Sequence, residues 1–396
     1  MRALRLPPVA TIVVAELMAV SLWFSANAAA EPLRADWGLT LADIGALTNA
    51  VQLGFVAGTL LFALTGLADR HAASRLFAVC ALVGAAANAG FALFAQGMAT
   101  ALPLRFAVGV ALAGVYPVGM KLVVSWAPER APQTLAWLVG MLTLGTALPH
   151  GLRGLGAAWP WQAPVLAASA LAVVAALLVA RLGDGPHLPR AAGAARAARV
   201  GAREVLANLR VPAFRASALG YFGHMWELYA FWALVPTLVA GAGIAGAGSA
   251  AQSHAAFAVI AVGALGCIVG GWWSRRIGGA RVAAVALAGS ALCCAAYPLA
   301  AGAAPALVLA LLLAWGVFVV ADSPQFSALS AAACRPQTLG SALALQNALG
   351  FALTMVSIQL ATAWVYAWGA HIAWLLLAGP LLGLWGLRPL WVAARR

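Results

Sequence analysis

Charge is what this chain lacks. Of its 396 residues 8% are Asp, Glu, Lys or Arg, ten of these are acidic, and lysine occurs once, at Lys121. A soluble domain carries roughly a quarter of its residues as charges to keep its surface solvated, so a water-exposed globular fold is excluded. Cysteine is also scarce. Cys80, Cys267, Cys293, Cys294 and Cys334 fall inside apolar runs or beside basic loops, where no disulfide framework is expected. Strict apolar/polar alternation is missing, which excludes a membrane β-barrel and leaves helices to cross the bilayer. Catalytic signatures are missing too: no histidine opens a His-Glu-x-x-His, and the lone lysine does not close a phosphate loop. Gly241-x-Gly243-x-x-Gly246 has the spacing of a dinucleotide fingerprint, but no strand precedes it. No enzyme activity, cofactor or metal site is expected.

What is present is apolar length. Hydrophobic residues make up 64% of the chain and mean hydropathy is +0.95. Runs of about 20 residues, enough to cross roughly 30 Å of hydrocarbon as a helix, predict spans near 9–30, 42–66, 75–96, 100–124, 135–156, 162–182, 212–238, 252–273, 281–301, 304–328, 338–364 and 369–390. The fold class expected is an all-α membrane protein of twelve transmembrane helices in two pseudo-symmetric six-helix bundles. With the N-terminus inside, every one of the 23 basic residues except Arg34, Arg105, Lys121 and Arg153 falls on the cytoplasmic side. That bias argues for a multi-pass protein of the cytoplasmic (inner) membrane with both termini cytoplasmic, and the net charge of +13 reflects topology rather than nucleic acid. Arg2 and Arg5 before an apolar stretch ending Ala26-Asn27-Ala28 imitate a secretory signal, but Glu16 interrupts that stretch and further spans follow, so an uncleaved first helix is expected.

The chain repeats itself. Pro132-Gln133-Thr134-Leu135 returns as Pro336-Gln337-Thr338-Leu339, and Arg70 and Arg75 are echoed by Arg276 and Arg281 at a nearly equal offset. Pro117 and Pro324 follow the same spacing. Duplication inside an apolar chain marks secondary transporters, whose halves move against each other around a central site. The long polar interruption between them divides the chain into an N-terminal bundle over 1–182, a cytoplasmic linker over 183–211 and a C-terminal bundle over 212–396. Within the linker Arg196, Arg199 and Arg203 would form one basic stripe on a helix, suited to anionic headgroups, or belong to a flexible basic loop.

The loop after span two, Gly66-Leu67-Ala68-Asp69-Arg70-His71-Ala72-Ala73-Ser74-Arg75, resembles the loop signature Gly-x-Leu-Ala-Asp-Arg-x-Gly-Arg-Arg of the major facilitator superfamily: Leu67, Ala68, Asp69 and Arg70 match, while Thr65 and Ala72 stand where glycines are usual. Its counterpart, Gly271-Trp272-Trp273-Ser274-Arg275-Arg276-Ile277-Gly278, keeps both glycines but places Arg275 at the acid's position. Arg105-Phe106-Ala107-Val108-Gly109 is similar to the superfamily's Arg-x-x-Gln-Gly, with valine for glutamine. Span five has Gly140, Gly145, Pro149 and Gly151 without the contiguous Gly-Pro pair of exporters, which leaves direction open. The resemblance implies the major facilitator fold and alternating access. A nitrate/nitrite porter is not expected, because spans two and eight carry neither an arginine nor the Gly-rich nitrate signature.

An ionised group at mid-bilayer costs about 2.5–3.5 kcal/mol even on lenient scales. By the resemblance Glu16, Glu227 and Asp322 lie in helices that line the central cavity. A carboxyl removed from water holds its proton more tightly, so its occupancy can follow a proton gradient when access alternates. Glu227, with His224 one turn earlier, is the first expectation for proton coupling, ahead of Glu16 and Asp322. Arg105 and Tyr116 share a face of span four, where Arg105 would meet a substrate carboxylate or pair with a protein acid. Lys121 lies about 160° away and either faces the site or snorkels to the interface. Trp23, Asn27, Asn49, Gln52, Trp226, Tyr229, Gln325, Gln346 and Asn347 complete the candidate substrate-binding set, each otherwise a helix-packing group. Asp69, Arg70, Arg75, Glu129, Arg276 and Arg281 read either as a conformational latch or as positive-inside anchors. Pro117 and Pro324 mark gate or kink positions, and His150 and Arg153 an extracytoplasmic gate.

The function expected is secondary active transport, proton-coupled, of a small polar or anionic organic solute. The alternatives are a proton-driven multidrug or lipophilic-cation efflux pump and a transporter-like sensor without flux. The expected partners are substrate, proton and membrane lipid, with no nucleic acid; the chain is expected to be a monomer.

Overall fold

The computed structural model describes residues 6–156, 158–188, 206–334 and 338–393, in which helices predominate and no strand occurs. Arg196, Arg199, Arg203 and the Pro336-Gln337 repeat lie outside the described residues, as does the Asp69 side chain. The helices are α1 (Pro8–Val20), α2 (Ser25–Ala28), α3 (Ala30–Trp37), α4 (Leu41–Thr65), α5 (Leu67–Arg70), α6 (Ala73–Phe94), α7 (Met98–Leu112), α8 (Tyr116–Trp126), α9 (Ala131–Leu155), α10 (Gln162–Leu182), α11 (Pro212–Gly241), α12 (Ala250–Ala261), α13 (Gly263–Ile277), α14 (Gly279–Leu299), α15 (Pro305–Ala321), α16 (Ser323–Ala333), α17 (Leu339–Trp368) and α18 (Ile372–Ala393). Among the described residues, nine stretches are long and apolar enough to cross a membrane; the last, Leu339–Val392, turns at Gly369–His371 and holds both α17 and α18. Two expected spans are missing from that count: the first, whose helix stops at Val20 and resumes at Ser25, and the seventh, which is present as the 30-residue helix α11 but is not among the nine apolar stretches.

Two proline breaks explain why spans four and ten are each built from two helices. Proline has no N–H and its ring crowds the carbonyl four residues earlier. Pro117 stands at the start of α8 after the turn Ala113–Val115, and Pro324 at the start of α16 after Asp322. The carbonyl freed by Pro324 is that of Val320, and it accepts a bond from the Cys267 thiol on α13 at 3.4 Å. A buried backbone group orphaned by sequence is thus satisfied from a neighbouring helix.

Packing follows the duplication. α1, α4, α6, α7, α8, α9 and α10 pack on one another, as do α11 to α18, and two seams join the sets, α4 against α17 and α9 against α12 and α13. Backbone approaches fall at equivalent places. A Cβ on Gly109 of α7 would sit 2.0 Å from the Val51 carbonyl of α4, and one on Gly316 of α15 would sit 1.9 Å from the Val259 carbonyl of α12. Only glycine permits such contact, the means by which membrane helices gain van der Waals attraction when no hydrophobic drive separates them from lipid. Gly109 closes the Arg105–Gly109 motif, so that glycine is a packing requirement.

Candidate functional site

At the waist of the molecule six aromatic rings from both helix sets meet. Trp23 and Phe24 come from the break in the first segment, Phe55 from α4, Tyr229 and Trp232 from α11 and Phe351 from α17; all are buried. The Trp23 ring lies 4.9 Å from Phe55, 5.7 Å from Tyr229 and 5.6 Å from Phe351, and Phe55 lies 4.5 Å from Phe351. Phe24 meets Trp232 edge-on at 6.1 Å. The Trp23 indole donates to the Gln52 carbonyl oxygen at 3.2 Å, and Asn27 donates to Thr48 at 2.9 Å. Trp23, Asn27, Gln52 and Tyr229 of the expected set are therefore brought together. Phe24, Phe55, Trp232 and Phe351 were not foreseen, because in an apolar helix nothing distinguishes a waist-facing phenylalanine from a lipid-facing one.

Arg105 is not where a substrate would find it. Its guanidinium is fully buried and donates to the carbonyls of Leu22 (3.2 Å) and Trp23 (2.6 Å), to Ser25 Oγ (3.1 Å) and to Asn88 Oδ1 (2.7 Å), while lying over the Phe91 ring at 5.6 Å. Asn88 in turn donates to the Val165 carbonyl and Ser169 on α10. Breaking the first segment at Ser21–Phe24 frees backbone carbonyls in a dry interior, and a five-donor fork is the side chain that fits them. Arg105 therefore shapes the waist from behind.

The three buried carboxylates have different surroundings. Glu227 Oε1 accepts bonds from Ser290, from Cys294 (3.1 Å) and from the Trp315 indole (2.6 Å), so it ties α11 to α14 and α15. Its expected partner His224 points elsewhere: His224 Nδ1 lies 2.8 Å from Asp322 Oδ1, joining α11 to the break between α15 and α16. Three residues turn a helix through 300°, leaving the two side chains about 60° apart, enough to meet different neighbours. Glu16 is fully buried and neither carboxylate oxygen has a hydrogen-bond partner. It lies against α8, where a Cβ on Gly119 would sit 2.4 Å from its Oε2.

Other expected residues scatter. Trp226 donates to the Leu375 carbonyl of α18, away from the waist. Gln325 lies against Gly279 at the start of α14, and Gln346 sits in a small hollow with Phe214, Phe222 and Leu345. Lys121 and Asn347 are half-buried. Arg70, Arg75, Glu129 and Arg276 are exposed, and Arg276 lies over its own helix's Trp272 at 4.2 Å; among the described residues these four do not form the expected latch in this conformation. Arg281 is half-buried. Asp184, unforeseen, accepts the Ser74 amide at 2.7 Å where α6 begins.

The arginine-poor end is closed. Asn49 donates to the Met355 carbonyl (3.0 Å) and to Gln359 (3.2 Å), Arg34 donates to the Tyr366 hydroxyl (2.9 Å), and Gly45 and Thr362 touch. His150 and Arg153 line a constricted pocket of about 20 Å³ at this end with Asn27, Glu31, Pro236 and Gln252; Arg153 also donates to the Trp159 carbonyl. Two hydrogen bonds of about 1 kcal/mol each bias the seam toward closure, so Asn49→Ala is expected to raise opening about 5- to 30-fold. The check is labelling of a Thr237→Cys variant by an impermeant maleimide, with and without Asn49→Ala. Equal labelling would place the closure elsewhere.

Known proteins agree with this architecture. The niacin transporter NiaP of Acinetobacter baylyi is 32% identical over 125 residues, 29% of this chain, and the putative niacin/nicotinamide transporter NiaP of Bacillus subtilis is 28% identical over 160 residues, 39% of this chain. These matches span 28% and 38% of the two relatives' lengths. A bacterial homologue of the human lysosomal transporter Spinster, solved inward-facing and unoccupied, superposes with a TM-score of 0.69 at 16% identity over 99% of this chain and 96% of that one. A point mutant of the nucleoside transporter NupG gives 0.69 at 14% over 98% and 100%. At such identities the likeness is one of fold. A family model extends it to sequence, matching residues 12–358, and the chain belongs to the Major Facilitator Superfamily.

Proposed function

We propose that the protein is a proton-coupled secondary transporter that moves a small planar, polar or anionic solute of the pyridine-carboxylate class across the cytoplasmic membrane by alternating access. The aromatic waist carries this reading. Rings contributed by both helix sets can stack on a flat heteroaromatic solute and separate as units 1–182 and 212–396 rock, and the amides of Gln52 and Asn27 offer orienting hydrogen bonds. The partial matches to niacin transporters support the same solute class. In the orientation set by the arginine bias, the closed end faces outward and both termini face the cytoplasm.

The proton falls to Glu16 in preference to Glu227 on geometric grounds. An ionised carboxylate with neither oxygen hydrogen-bonded is costly in a dry interior, whereas Glu227 has three donors. Glu16 with its proton suits the packed state, and without it suits a hydrated one. The ring cluster also favours a second reading, lipophilic-cation export, because the faces of electron-rich rings attract cations.

Purified protein in proteoliposomes decides between them. Labelled nicotinate is expected to accumulate above its equilibrium level only under a pH gradient, and a protonophore is expected to abolish the accumulation. Gradient-driven movement of a lipophilic cation without nicotinate flux would favour export. Saturable nicotinate binding without flux would favour a sensor.

A further inference from the structure

At the arginine-rich end, on the outer wall of the second helix set, the start of α11 and the end of α18 enclose a groove of about 640 Å³. Its lining follows one face of each helix. On α11 it is Pro212, Arg215, Ala216 and Leu219; on α18 it is Trp385, Arg388, Pro389 and Val392. Both sets run i, i+3, i+4, i+7, the spacing of a single helical stripe. The two helices are pressed together at its floor, where a Cβ on Gly386 would sit 2.4 Å from Leu219 Cβ. Small residues and prolines leave the space above that contact unfilled.

We propose that this groove is a binding site for one anionic phospholipid. Arg215 and Arg388 line the same groove from opposite walls, each within about a turn and a half of its membrane helix's end, the depth of the headgroups. Both side chains are exposed, and neither makes a hydrogen bond or ion pair with any described residue. Two guanidiniums separated by such a groove match a phosphodiester and repel a cationic ligand. Leu219, Val392 and the 71%-exposed Trp385 supply an apolar wall continuing from the charged mouth, which a free anion would not use and an acyl chain would. An indole at this level also suits the interface, where aromatic belts lie. The site is separate from the waist: it touches α11 one end away from Tyr229 and Trp232 and involves none of the carboxylates.

The full chain, purified in detergent, tests the site. Phosphatidylglycerol is expected to raise Tm and to remain bound as one retained copy in native mass spectrometry, while phosphatidylcholine and inorganic phosphate do neither. In the double variant Arg215→Gln/Arg388→Gln the phosphatidylglycerol shift should fall by at least half and the retained copy disappear, with Tm in plain detergent unchanged because both side chains are exposed. Arg215→Lys/Arg388→Lys should keep most of the effect. An undiminished shift in the glutamine variant, an equal response to phosphatidylcholine, or saturation by inorganic phosphate alone would overturn the proposal. Nicotinate transport plays no part in these readouts, so they stand apart from the proposed substrate.

Discussion

Arg105→Ala is expected to destabilise the protein by about 3–5 kcal/mol and to remove most of the membrane-inserted folded material. The guanidinium is the donor to two backbone carbonyls, Leu22 and Trp23, and to two side chains, Ser25 and Asn88, all in a region without solvent access. Deleting it leaves the Trp23 carbonyl unpaired, leaves a single Ser25 hydroxyl hydrogen to serve both the Leu22 carbonyl and Asn88 Oδ1, and opens a cavity beside Phe91, and the costs add. Arg105→Lys should recover only part of the loss, because an ammonium is a point charge that cannot face acceptors on the broken segment and on α6 with a rigid fork. Tm in detergent and folded yield are the readouts. Asn88→Ala should cost less, about 1–3 kcal/mol, and combining it with Arg105→Ala should cost less than the sum, since the two share a bond. A role in substrate recognition makes the opposite forecast: Arg105→Lys would fold normally and raise KM alone.

Arg105 also shows what was legible in this chain. Helix positions followed from hydropathy because the bilayer fixes their length, and the breaks at Pro117 and Pro324 followed because a missing N–H is written in the sequence. The break at Ser21–Phe24 was not legible. Neither proline nor glycine marks it, and it persists through a side chain 83 residues away. For the same reason Arg105 read as a site residue: a helical face can be inferred from spacing, but the neighbour against that face cannot. His224 and Glu227 illustrate the limit at short range, since a pair three residues apart divided between Asp322 and the Ser290, Cys294 and Trp315 cluster. Gly109 and Gly316 carry the duplication into the packing. They stand at the same offset as Pro117 and Pro324, and both mark backbone contact between the helices of spans two and four or of their counterparts.

Glu16→Gln is expected to abolish gradient-driven accumulation, by tenfold or more, while leaving exchange of solute across the membrane and Tm nearly intact. An amide and a protonated carboxyl have the same shape, and in this packed state neither would have a partner, so the substitution changes little in the folded energy. It changes one property, the capacity to release a proton when water reaches the carboxyl. A transporter fixed in the neutral form can still cycle loaded but gains nothing from a pH difference. Counterflow and accumulation measured on the same proteoliposomes separate the two. Glu227 supplies the contrast. Glu227→Gln keeps an oxygen for the Trp315 indole, Ser290 and Cys294 and should retain coupling, whereas Glu227→Ala strands the indole N–H between α11 and α15 and should lower Tm through the loss of about 1–3 kcal/mol. If Glu227→Gln uncouples and Glu16→Gln does not, the proton belongs to the cluster on α11, and the unpartnered oxygens of Glu16 reflect packing against Gly119 alone.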